Sequence, residues 1–207
     1  MSEVNHTGRL EAFSDGVFAI AITLLVIDIK IPETPEITTT AELWQGLRHI
    51  IPSIFAFLLS FSVILVTWVN HHNHMKMMKR TCGSFLYSTG FLLLTVAFLP
   101  FPTSLLGEYL FTDHAAPAVI LYNFVLTLQA LSWIMLVHTA VKNDLAKSEK
   151  ALLKTRESGK FGFFAFVLYS LCTILAAWFP LTMASVTTLT WIFWLLYGVN
   201  IKHEEMN

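Results

Sequence analysis

His71, His72 and His74 stand together in TWVNHHNHMKMMKR, and side chains three or four residues apart share a helix face, so metal ligation is the first chemistry the sequence raises. A membrane metal enzyme draws imidazole and carboxylate ligands from several spans. Here His6, His49, His114, His138 and His203 are scattered along the chain, and no carboxylate accompanies the cluster. The cluster reads as a polar group at a membrane surface beside a basic loop. The sequence has no nucleophile elbow, P-loop or glycine-rich phosphate loop, which disfavours an enzyme and a bound cofactor. Cys82 and Cys172 lack CxxC spacing and read as packing residues.

A second group opens the first hydrophobic run, RLEAFSDGVFAIAITLLVIDIKIP. Between Asp15 and Asp28 the uncharged stretch runs only from Gly16 to Ile27. As a helix it measures roughly 20 Å at about 1.5 Å per residue, against a bilayer core of roughly 30 Å. At least one carboxylate then lies at membrane depth, where a charge persists only beside a protein partner or water. On a helical projection Ile20, Leu24, Ile27 and Ile31 form a stripe bordered by Gly16 and Thr23, and Ser14 and Asp15 point away from it. Such a stripe fits packing against a neighbouring span or lipid. It equally fits a pore wall, in which rings of Ile20, Leu24 and Ile27 from several copies block ions by dewetting and Thr23 hydroxyls replace part of a cation's hydration shell.

The elements that must position these residues are membrane helices. Of the 207 residues 55% are hydrophobic and 13% charged, and the 17 Phe and 6 Trp fall mostly in long apolar blocks. These blocks predict six transmembrane helices, at Phe13–Ile31, Ile50–Val69, Ser84–Leu106, Ala115–Val141, Phe161–Phe179 and Met183–Ile201. The first block lacks a basic leader and a small-residue cleavage site, so it is expected to stay in the mature chain. Of the 13 Lys and Arg, all but Lys30 and Arg48 fall on one side, which predicts cytoplasmic termini. Trp44, Tyr109, Trp178, Trp191 and Tyr197 lie near span ends, where aromatic rings favour the headgroup layer. The polar stretches Pro32–Arg48 and Lys142–Lys160 are too short for a soluble domain, so one all-α domain fills residues 1–207. The second is expected to be a solvated connector, or an extension of the fourth span or a surface helix. Nothing basic and aromatic-studded points to nucleic acid, and the two halves show no repeat of the inverted-transporter kind.

Arg9-Leu10-Glu11-Ala12-Phe13-Ser14-Asp15 matches an RxxxFSD signature at the opening of the first span, and through it the chain resembles the channels related to transmembrane protein 175, in its prokaryotic form. Trp68 with His71 and His72 also resembles that family's tryptophan and histidine pattern in the second span. The resemblance implies six spans per subunit, a homotetramer in the plasma membrane, and a pore lined by the first helix without a P-loop filter. It implies that Ile20 is the narrow hydrophobic gate, extended by Leu24 and Ile27 at one and two further helical turns, and that Thr23 contributes selectivity for potassium near it. Ala19 stands where some animal relatives have serine, which implies only modest preference for potassium over sodium.

Asp15 and Ser14 are expected to hydrogen-bond with Arg9 and with Trp68, His71 or His72, holding the pore helix in register. A helix-start cap with an exposed charge is the plainer alternative. Asp28 and Lys30 either tune cations at the outer mouth or pair on the surface. Two other functions remain: a proton-coupled secondary transporter using Asp15, Asp28 or a histidine as its protonatable site, and, more remotely, a membrane metalloenzyme at His71 and His72.

Overall fold

The computed structural model describes residues 6–27, 29–30 and 39–204, with the side chains from 196 onward and that of His6 outside the description. Eight helices follow in order: α1 His6–Leu24, α2 Thr40–His49, α3 Ile51–Lys76, α4 Gly83–Phe98, α5 Pro100–Tyr109, α6 Ala115–Lys142, α7 Glu149–Leu175 and α8 Pro180–Glu204. Pro100, with no N–H to donate, opens α5 and marks the break that separates it from α4, although the two continue as one apolar segment, Gly83–Tyr109.

Four described segments are long and apolar enough to cross a membrane: Ile51–Lys76, Gly83–Tyr109, Ala115–Lys142 and Glu149–Leu175. The described apolar part of α8, Pro180–Leu195, is shorter, and α1 carries Arg9, Glu11 and Asp15 in its first half. Several expected boundaries shift. The first helix begins and ends earlier than Phe13–Ile31, and the second runs past Val69 to Lys76. The charged stretch expected as a connector instead joins the fifth span, because Ser148 caps α7 by accepting from Ala151 N at 3.2 Å, and Ala151 and Thr155 bury one face while the lysines stay wet. Within the stretch expected to be merely polar, Thr39 and Glu42 form a reciprocal capping box that starts α2, whose Leu43, Trp44 and Leu47 lie exposed.

Helix α6 is the hub, packed against α4, α5, α7 and α8, while α3 meets α1, α2, α5 and α8. Apolar burial alone does not drive helices together in lipid, and interhelical hydrogen bonds contribute instead. Ser60 on α3 bonds the hydroxyls of Thr103 at 2.6 Å and Tyr122 at 2.9 Å. Gln129 Nε2 donates to Thr67 Oγ1 at 2.7 Å, and the Thr187 hydroxyl to Asn123 Oδ1 at 2.6 Å. At one end of the bundle the α3–α4 and α6–α7 turns are clipped together. Lys79 N donates to Leu145 O at 2.8 Å and Lys147 N to Met77 O at 2.9 Å, with the Lys79 ammonium 2.9 Å from Asp144 Oδ2.

Candidate functional site

Helix α1 has two faces. Leu10, Ser14, Phe18 and Ala21 recur at helical spacing and are buried against α3 and α4. The opposite face is open: Phe13 is 63% exposed, Ile20 62% and Leu24 42%, with Gly16, Ala19 and Thr23 also exposed. This leaves the Ile20 stripe without a partner among the described residues of one chain. Ile27, at 70% exposure, continues it, but not as a second helical turn. The helix ends at Leu24, and Ile27 N donates to Leu24 O at 3.1 Å in a following turn.

The Thr23 hydroxyl points back along its helix and donates to the carbonyls of Ala19 at 3.0 Å and Ile20 at 2.9 Å. Its single proton is committed to the backbone, so only lone pairs remain for anything outside the helix. That is the polarity a cation needs.

The buried face of α1 is keyed to α3 at two points. Trp68 Nε1 donates to Asp15 Oδ1 at 2.8 Å. Four residues earlier on α1 and four later on α3, Glu11 Oε1 lies 2.9 Å from His72 Nδ1, a charge pairing when the imidazole is protonated rather than an aligned hydrogen bond. The Trp68 and His72 rings stack with centroids 5.6 Å apart, joining the two contacts into an antiparallel ladder. Asp15 is thus the carboxylate that finds a protein partner. Asp28 lies outside the described residues, and Lys30 is exposed.

The other expected members of this network sit elsewhere. Ser14 is fully buried, but its hydroxyl bonds Leu10 O at 2.8 Å on its own helix, the common outlet for a serine that has an i−4 carbonyl in reach. Arg9 is exposed and enters no ion pair among the described residues, since its side chain emerges on the wet side of the first turn. His71 packs its ring 5.7 Å from Phe18 and completes no hydrogen bond there. Phe13 faces outward instead of into the bundle. Glu11 was invisible to the sequence reading, although its i, i+4 relation to Asp15 matches that of Trp68 to His72 and would have aligned the two pairs. His74 is buried between Phe85 and Trp133. No group of three or more histidine, cysteine or acidic side chains converges as a metal site among the described residues.

A family model described as endosomal/lysosomal potassium channel TMEM175 matches residues 9–100. A potassium channel of Chamaesiphon minutus is 46% identical over 149 residues, covering 72% of this chain and 73% of its own. A potassium channel of Streptomyces collinus is 37% identical over 202 residues, covering 95% of this chain and 94% of its own. Among solved structures, the crystal structure of a lysosomal potassium-selective channel TMEM175 homolog from Chamaesiphon minutus superposes with a TM-score of 0.82 at 38% identity, covering 92% of this chain and 97% of that one.

Proposed function

The chain belongs to the TMEM175 family, and on that premise we propose that it is a potassium channel of the multi-pass membrane class, passing the ion passively through a pore lined by α1. Four copies surround the axis, each with six spans formed by α1, α3, the α4–α5 segment, α6, α7 and α8. The chain is one channel domain that needs no cofactor beyond the permeant ion. It resides in the plasma membrane with both termini in the cytoplasm, a reading supported by the lysine and arginine asymmetry.

The observation that carries the proposal is the open face of α1. Exposure of Ile20 by itself suits a lipid-facing helix, but at 62% exposure it lies in line with a hydroxyl whose proton is already used and whose lone pairs face outward, an arrangement that suits a face meeting other copies of itself around water. Rings of Ile20 and Leu24 then form a dewetting constriction, Ile27 widens from it toward the outer turn, and Thr23 supplies the oxygens that replace part of the potassium hydration shell. The Asp15–Trp68 and Glu11–His72 contacts hold this face toward the axis.

Flux of potassium and sodium through purified protein in liposomes at defined voltage tests the reading. Wild-type channels should favour potassium modestly, Thr23→Ala should bring the ratio toward one, and Ile20→Asn should raise flux at least severalfold. If neither substitution changes flux, or if flux requires a proton gradient, the transporter reading replaces the channel.

A further inference from the structure

Between α3, α4, α6, α7 and α8 lies a cavity of about 800 Å³, lined by residues of α3 other than those that meet α1. Its size falls within the range of small-molecule sites, and aromatic rings from Trp133, Phe161 and Trp194 form much of its wall. Lys154 and Glu157, on the part of α7 nearest the clip, line one end of it. Tyr169 lies a further twelve residues along α7, about 18 Å deeper at about 1.5 Å per residue.

The deep wall carries polar atoms without partners. Gln129 spends its amide N–H on Thr67, and its Oε1 completes no hydrogen bond among the described residues. The Tyr169 hydroxyl and the Trp191 indole N–H lie beside each other on stacked rings without closing an aligned hydrogen bond, and Gln129 and Tyr169 are 6% and 2% exposed. Native proteins leave few such groups orphaned. A single water can answer these atoms, but water alone is a poor filling for the whole cavity, because the rest of its wall is mostly apolar and gives further waters no partners.

We propose that this cavity is a binding site for a neutral, largely apolar small molecule whose head both donates and accepts hydrogen bonds, as a carboxamide or hydroxyl does. The head's donor meets Gln129 Oε1, its acceptor receives the Trp191 N–H, and Tyr169 serves either. The apolar body lies against the aromatic wall. A charged head is disfavoured, since among the described residues the charged side chains lining the site are Lys154 and Glu157, at its end nearest the clip. The site is separate from the pore face and does not depend on the conduction mechanism.

The test is equilibrium dialysis of the full-length protein in nanodiscs, with protein-free nanodiscs as blank, against 2-naphthamide and its near-isostere 2-isopropylnaphthalene. Two or three hydrogen bonds at a dry site predict that the amide binds about tenfold more tightly. Tyr169→Phe and Gln129→Leu should each erase most of that preference, and Ala165→Phe, which puts a ring into the cavity between its charged end and Tyr169, should sharply weaken saturable binding of both probes. Tyr169→Phe removes one oxygen and keeps the ring, so the test survives if the Gln129 variant fails to fold. Equal binding of the two probes would make the cavity a plain apolar slot open to lipid tails, and no saturable binding would make it a water-filled void. Either result overturns the proposal, as does a preference for the amide that ignores Tyr169→Phe.

Discussion

Trp68 is the residue whose chemistry the fold needs most narrowly. Its indole N–H is the sole hydrogen-bond donor found on the Asp15 carboxylate among the described residues, while its ring face belongs to His72. Trp68→Phe keeps a ring and deletes the donor, leaving a carboxylate inside the bundle with its partner gone. The expected loss is about 1–3 kcal/mol, more where the carboxylate is fully charged, read as a lower Tm of the purified protein. Asp15→Asn should be milder, since an amide oxygen still accepts the indole bond. Asp15 was legible because a carboxylate at membrane depth has to find a donor, and the chain offers few. Glu11 was not, because an acid in a first helical turn looks solvated until the facing helix supplies His72.

At the scale of elements, four of the spans were legible from hydropathy, while their ends were set by local chemistry that hydropathy averages away. The start of α7 was hidden by charges that occupy one face of a helix rather than a loop, and the break between α4 and α5 by an apolar stretch that proline divides without ending. Close helix contacts were equally hidden, since a glycine declares nothing about its neighbour. A Cβ placed on Gly107 would lie 2.8 Å from the Ser53 Cα, a backbone atom that can yield only if α5 moves off α3. Gly107→Ala should therefore destabilise by about 1–3 kcal/mol, measurable as a Tm drop with the N-terminal part of α3 and the C-terminal part of α5 loosened in hydrogen exchange. The clip between the two turns carries a pH signature. The Lys79 ammonium, hydrogen-bonded to Asp144, holds that carboxyl below the usual carboxylate range. Its contribution is present at neutral pH and fades as pH falls through the lowered value. Lys79→Met should be slightly less stable than wild type at pH 7, and the two should converge in acid. Asp144 also has φ 49°, so Asp144→Gly relieves backbone strain where Asp144→Val adds it, and their Tm values should fall on opposite sides of an alanine variant.

In the whole molecule, the helix richest in chemistry is the one least enclosed. Among the described residues helix α1 packs closely on α3 and α4 alone, and its proposed function rests on an outward face that these residues leave bare. That face was legible in the sequence as a period of three and four. The cavity was not, because its walls come from five helices and no single stretch carries its pattern. The two contacts between α1 and α3 stand one turn apart, at Glu11 and Asp15, and so fix the azimuth of α1 as well as its position. They act as a phase reference for everything that follows on the helix. One alanine inserted between Gly16 and Val17 leaves both contacts intact yet advances every later residue by about 100° and 1.5 Å. It should yield folded protein that conducts poorly or without preference, whereas an insertion of a near-whole turn of four residues should restore much of the lost flux. If α1 lines the pore as proposed, conduction becomes a matter of angular timing, kept by an indole and an imidazole that never touch the ion.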